Sequence, residues 1–179
     1  MQFLFQQLQP TYSRIGHKYI TVKYIPYGLA TETKEKFIWT FTCQNGPNEC
    51  LGNRAHACVI ELTAYLKLIW VNFLSCYAFE FEAGDPSTFD VAKATSYCCS
   101  EFGIDFKIVW DCATGALGDE LMHKSALNTQ SLTPNITSTP WIVVNGIHNT
   151  TMQNQAVTDL ESLICSLFPA SELPPACVP

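Results

Sequence analysis

Apolar positions recur along this chain at two different spacings, and the changes between them mark out its elements. Phe3, Leu4, Leu8 and Tyr12 fall at helical spacing with Pro10 near the end of the run, which predicts a helix over residues 2–12 that breaks at the proline. Residues 19–25 are instead rich in β-branched and aromatic side chains and close at Pro26-Tyr27-Gly28, the pattern of a strand followed by a turn. A second such run over residues 37–42 leads into Cys43. The two runs are expected to pair, across a solvated loop that holds Glu32, Lys34, Glu35 and Lys36.

From Asn53 to about Gln130 the period becomes helical, with Cys58, Leu62, Tyr65, Leu66, Ile69, Trp70 and Phe73 tracing one broad face. The most apolar window, residues 59–81, is broken by Glu61, Lys67, Asn72 and Glu80. It reads as a buried helix, because a membrane span needs roughly 20 nearly uninterrupted apolar residues. Gly84-Asp85-Pro86-Ser87 ends that helix, with Asp85 or Ser87 as N-cap of the next and Gly103 as its stop. Shorter helices are expected over residues 105–112 and 117–127. Residues 141–144 then read as a short buried strand ending at the turn signal Asn145-Gly146, and residues 156–168 as a closing amphipathic helix before a Pro-rich tail. Strands on both sides of a helical block point to one α/β domain over residues 1–179, with residues 53–133 as a helical insertion within it.

Composition narrows the function. Lys and Arg total 10 against 16 Asp and Glu, a net charge of -6 with no basic cluster, which argues against nucleic acid as a partner. Nine cysteines in 179 residues, with N-x-[ST] sequons at Asn135 and Asn149, point to an oxidising, secretory-route compartment. The first residues carry no basic stretch and no apolar run long enough for a signal peptide, so the natural start is expected upstream.

Cysteine spacing is the most informative feature. The positions are Cys43, Cys50, Cys58, Cys76, Cys98, Cys99, Cys112, Cys165 and Cys177. No two stand in a C-x-x-C, and the odd total leaves at least one thiol without a partner in the chain. Read from the residues, Cys43, Cys50 and Cys58 form structural disulfides; the alternative is a zinc site with His56, which the wide spacing supports poorly. Cys98-Cys99 invites a strained vicinal disulfide, and separate partners or one free thiol are the other readings. No metal and no cofactor is assigned.

The first three cysteines stand in Cys43-Gln44-Asn45-Gly46-Pro47-Asn48-Glu49-Cys50-Leu51-Gly52-Asn53-Arg54-Ala55-His56-Ala57-Cys58. This resembles the signature of the gamma-interferon-inducible lysosomal thiol reductase family, C-Q-H-G-x-x-E-C-x-x-N-x-x-x-x-C. Cys43, Gln44, Gly46, Glu49, Cys50, Asn53 and Cys58 match it, and Asn45 stands where the family usually has histidine. The resemblance extends to Tyr24-Ile25-Pro26-Tyr27-Gly28, to Asp111-Cys112 with Gly118 and Leu121-Met122-His123, to Thr139-Pro140-Trp141-Ile142-Val143-Val144-Asn145-Gly146, and to Cys165 and Cys177.

The resemblance implies a thioredoxin-like fold with a helical insertion, acting on disulfide-containing polypeptides in a lysosomal or extracellular setting. In such proteins a C-x-x-C at the start of the first helix attacks and resolves the substrate disulfide, its first thiol made acidic by the helix N-terminus. In relatives that pair lies just before the segment matching residues 2–8. The chain given is therefore expected to be a fragment without the first strand and the start of the first helix, a divergent member without the chemistry being the alternative; no catalytic residue is assigned within it. The resemblance further makes Thr139-Pro140 a cis peptide beside a substrate groove, where an extended segment adds as a strand. Cys165 with Cys177 is expected to staple the tail. His17, His56, His123 and His148 are expected on the surface or facing helices, Glu49 to brace the cysteine loop, and Trp39, Trp70, Trp110 and Trp141 to serve the core.

Overall fold

Leu4, Leu8, Tyr12 and Ile15 turn inward on one stripe of the N-terminal helix, and the packing they begin organises the molecule. The computed structural model describes residues 1–85 and 88–178. A π-helical turn, Leu4–Leu8, runs into α1, Gln9–Ile15. Pro10 lies in the first turn of α1, where its missing N–H is tolerated, so the helix continues past the predicted break and ends at Gly16, whose φ is 87°. The remaining elements are β1 (Thr31–Glu35), β2 (Ile38–Thr42), α2 (Pro47–Leu62), α3 (Lys67–Ala83), α4 (Val91–Glu101), α5 (Phe106–Ala113), α6 (Ala116–Gln130) and α7 (Thr150–Ser166), with a final 3-10 turn at Pro175–Cys177. The molecule is mixed α/β and mostly helical.

Its described sheet has two antiparallel strands, β1 and β2, with Thr31 opposite Thr42 and Glu35 opposite Ile38. This corrects the expected pairing. The charged stretch read as a loop is itself β1: its side chains other than Glu32 lie in solvent, while Trp39 and Phe41 carry the partly covered face of β2. Residues 20–25 keep strand-like alternation, with Ile20, Val22 and Tyr24 against the core and Thr21 and Lys23 exposed, yet they form no ladder. Residues 141–144 likewise form no named strand; one isolated bridge joins Val144 to Ile147 across the Asn145-Gly146 turn, both of whose φ angles are positive.

The helical block begins at Pro47, earlier than its hydrophobic period indicated. The apolar window 59–81 is two helices. Thr63 Oγ1 donates to the Val59 carbonyl at 2.7 Å, a side-chain bond that competes with helix continuation, and a turn through Leu66 follows. Tyr65 and Leu66, counted above on the buried face, are exposed there. The N-cap of α4 is Asp90, which accepts from the Lys93 amide at 3.0 Å, rather than Asp85; Ser87 lies outside the described residues. Gly103 ends α4 with φ 65°, as expected. α7 begins at Thr150, six residues before the predicted start, because Asn149 caps it.

The core is formed where α2 meets α5 and α6, and α3 meets the N-terminal helix and α4. Phe73, Leu74, Val59, Val71 and Val109 are its buried centre, each worth roughly 1.5–3 kcal/mol of burial. Of the four tryptophans only Trp70 is fully in it; Trp39, Trp110 and Trp141 are half-buried.

Candidate functional site

Cys43 follows the last residue of β2, and the chain must turn at once to enter α2. Gly46 makes that turn at φ 90° as the N-cap, and Pro47 fills the first helical position. Glu49, one turn in, reaches back: its Oε2 accepts from the Asn45 amide at 2.6 Å and from Asn45 Nδ2 at 3.2 Å. Glu49 thus braces the loop, and Asn45, the position that departs from the signature, is its partner. The loop closes through the Cys43–Cys50 disulfide, both residues buried. Gln44 is exposed and Asn53 half-buried.

Cys58 pairs with Cys112, tying α2 to α5; Cys76 pairs with Cys98, tying α3 to α4; Cys165 pairs with Cys177, holding the tail on α7. Of these pairings the sequence had offered only the last. Cys99 is free and buried, which settles the vicinal question against Cys98–Cys99. Its thiol is pushed up to about 12, first by burial and second by Asp105. His56 is buried. It lies in a box of Tyr24, Phe73 and Tyr77, with the Tyr77 ring centroid 4.5 Å away, and burial pushes its imidazole down to about 3. Gly52, at an open position between Cys50 and Asn53, leaves room for that box: a Cβ there would stand 2.8 Å from the Tyr77 hydroxyl oxygen. Among the described residues no group of three or more His, Cys, Asp and Glu is placed to hold a metal.

The Thr139–Pro140 peptide is cis, as is Thr133–Pro134. Thr139 and Pro140 are exposed, and among the described residues the Thr139 backbone has no hydrogen-bond partner. The next residues are pinned from α7: Gln153 Nε2 donates to the Pro140 carbonyl at 2.8 Å, and Gln153 Oε1 accepts from the Ile142 amide at 2.9 Å. His148 Nδ1 lies 2.8 Å from the Ile142 carbonyl, and its ring stacks on Trp141 at 3.6 Å.

Gly28 joins the two regions. A Cβ built on it would lie 3.4 Å from Thr139 Cγ2 and 4.0 Å from Glu49 Oε1, so the signature loop and the Thr139 segment converge there. Each segment stands out in the sequence by itself, and no local pattern signals their approach. Nor does any local pattern signal the anchor of the hairpin on α6. His123 Nδ1 is 3.0 Å from both carboxylate oxygens of Glu32, and its ring stacks on Trp39 at 3.8 Å; Lys34 Nζ lies over the other ring at 4.6 Å. Arg54 Nη1 meets Asp119 Oδ1 at 2.8 Å and links α2 to α6.

The sequence model described as gamma interferon inducible lysosomal thiol reductase matches residues 1–102. A goldfish (Carassius auratus) gamma-interferon-inducible lysosomal thiol reductase is 36% identical over 98% of this chain and 66% of its own length. The mouse (Mus musculus) protein of the same name is 27% identical over 98% of this chain and 65% of its own. The Drosophila melanogaster GILT-like protein 1 is 27% identical, covering 96% of this chain and 70% of its own. The chain spans about two thirds of the length of these relatives.

Proposed function

The chain belongs to the gamma-interferon-inducible lysosomal thiol reductase family, and from that premise we propose that residues 1–179 form the polypeptide-holding part of a thioredoxin-like thiol reductase, without thiol–disulfide exchange of their own. Exchange needs an accessible thiolate. The carrying observation is the state of the nine cysteines: eight are in disulfides, and the ninth, Cys99, is buried with its thiol pushed up to about 12. Four disulfides also favour the lysosomal or extracellular setting of an oxidising secretory route.

A thioredoxin-like arrangement is supported by the strand-patterned segments 20–25 and 141–144, both packed on the core. The substrate is read as a disulfide-containing polypeptide laid beside Thr139, whose exposed, unpartnered backbone offers one donor and one acceptor to an extended chain. The same feature favours a second reading, a disulfide-stapled lumenal protein that binds polypeptide and never reduces it.

The test supplies a small dithiol at acid pH and follows reduction of a denatured, disulfide-bonded protein. Residues 1–179 are expected to leave the rate at that of the dithiol alone. Acceleration lost on Cys43→Ser or Cys50→Ser would overturn the assignment of that pair as structural. Alkylation should label no cysteine in the native protein and one after denaturation without reductant. Binding of an extended peptide that weakens on Thr139→Pro would separate the polypeptide-holding readings from a purely structural role.

A further inference from the structure

The two sequons are not equivalent in the folded chain. Asn149 is the N-cap of α7, and its side chain is in use: Oδ1 accepts from the Met152 amide at 2.8 Å, and Nδ2 donates to Met152 Sδ at 2.9 Å. Asn135 is exposed, and among the described residues its amide has no hydrogen-bond partner. It lines a cleft of about 470 Å³ with Tyr27, Glu32, Thr129, Gln130 and Ile136. That volume suits an occupant of one or two sugar rings. The lining is also of the right kind, combining apolar residues, Tyr27 and Ile136, with polar ones, Glu32, Thr129 and Gln130.

We propose that Asn135 carries an N-linked glycan whose first sugars lie in this cleft and roof the Tyr27–Glu32 segment. The inference rests on the secretory compartment proposed above. Attachment uses a lipid-pyrophosphate-linked oligosaccharide and the transferase of that compartment. Asn135 Nδ2 bonds to the anomeric carbon, the carbon–oxygen bond to pyrophosphate breaks, the amide gives up one proton, and the lipid pyrophosphate leaves; nothing is oxidised or reduced. The occupant is fixed by tethering, because the acceptor nitrogen belongs to a residue of the cleft wall. A sugar there covers the segment that leads from Gly28, beside Thr139, into β1 and the Glu32–His123 contact. Its ordering effect therefore reaches the hairpin anchor as well as the edge of the polypeptide-holding surface.

The experiment produces residues 1–179 behind a secretory leader in a eukaryotic host, beside Thr137→Ala, which removes the sequon and keeps Asn135, and Asn149→Gln, which removes the other. Glycopeptide mapping is expected to find Asn135 occupied. Amide exchange over residues 27–32 and 129–130 is expected to be severalfold slower in wild type and in Asn149→Gln than in Thr137→Ala. Secreted protein with its four disulfides formed and Asn135 bare overturns the inference alone. So does an occupied Asn135 with exchange equal to that of Thr137→Ala. Secreted protein whose cysteines remain reduced overturns the compartment reading and this inference together.

Discussion

The side chain of Gln7 repairs the backbone of α7 at Leu160. The helix breaks at Asp159, whose φ and ψ are -153° and 74°; there Gln7 Oε1 accepts from the Leu160 amide and Nε2 donates to the Thr158 carbonyl, both at 3.0 Å. Gln153 does the same for the Pro140 carbonyl and the Ile142 amide. In each case a carboxamide presents one donor and one acceptor to backbone groups two residues apart, as a peptide unit of a neighbouring strand does. The kink in α7 thus has an identifiable cause, an inserted side chain, and the Thr139 segment is held without a sheet.

Removing the Gln7 carboxamide should leave the Leu160 amide without a partner in a half-buried setting and turn the exposed Thr158 carbonyl over to water. Gln7→Ala is expected to cost about 1–2 kcal/mol, read as a lower urea midpoint at unchanged m. Gln7→Glu keeps the acceptor for Leu160 but sets a carboxylate oxygen against the Thr158 carbonyl, so it should be no better than alanine at neutral pH and improve in acid.

The buried imidazole of His56 makes stability pH-dependent in a definite direction. Burial holds its pKa at about 3 in the folded protein, against an ordinary 6.5. The unfolded chain therefore takes up a proton below pH 6.5 that the folded chain refuses until about pH 3, and stability falls as pH drops through that window. From pH 7 to pH 5 this one group should cost about 2 kcal/mol. Both ring nitrogens lack hydrogen-bond partners among the described residues, so His56→Phe, apolar and of similar shape, should fold and lose that part of the slope. Denaturation of both proteins at pH 7 and pH 5 checks the difference; parallel curves would place a charged or solvated imidazole in the box.

Much of this was legible in the sequence, for reasons that residues make plain. Helices were found where the apolar stripe is long and capped by local chemistry, as at Asp105, whose carboxylate accepts from the Lys107 and Ile108 amides. The hairpin was misplaced because β1 is almost entirely charged and threonine. Its strand form is set by pairing with β2 and by the hold of His123 on Glu32, 91 residues apart in the chain, which no local pattern reveals. Residues 20–25 have the alternation of a strand without a ladder, and alternation reports burial rather than pairing. At the site, the bracing by Glu49 was readable because it acts within one turn. The approach of both Glu49 and Thr139 to Gly28 was not, because it depends on tertiary packing.

The disulfides should differ in worth according to the loops they close. In the chain-entropy picture the Cys58–Cys112 bond, 54 residues apart, contributes about 4 kcal/mol and the Cys43–Cys50 bond, seven apart, about 2.5. Cys58→Ala with Cys112→Ala should therefore lower the melting temperature further than Cys43→Ala with Cys50→Ala. The gap should widen because Cys58 is wholly buried and its loss opens space between α2 and α5. The reverse order would mean that the signature loop holds more of the fold than its length indicates.

Asn45 is the one position that departs from the signature. Glu49 takes its shorter bond, 2.6 Å, from the backbone amide of Asn45, and its longer one, 3.2 Å, from the Asn45 side chain. A backbone donor is present whatever residue stands there, so the brace should survive at Asn45→His, with stability within about 0.5 kcal/mol of wild type. Glu49→Ala removes both bonds at once from a charged acceptor at the first turn of α2, where a negative charge is also favoured by the helix dipole. Discounted for partial exposure, that should cost about 1–2 kcal/mol. The amide of residue 45 is the direct probe: its hydrogen exchange should stay slow in Asn45→His and become fast in Glu49→Ala. Fast exchange in Asn45→His would mean that the asparagine side chain, and not the backbone, secures the signature loop.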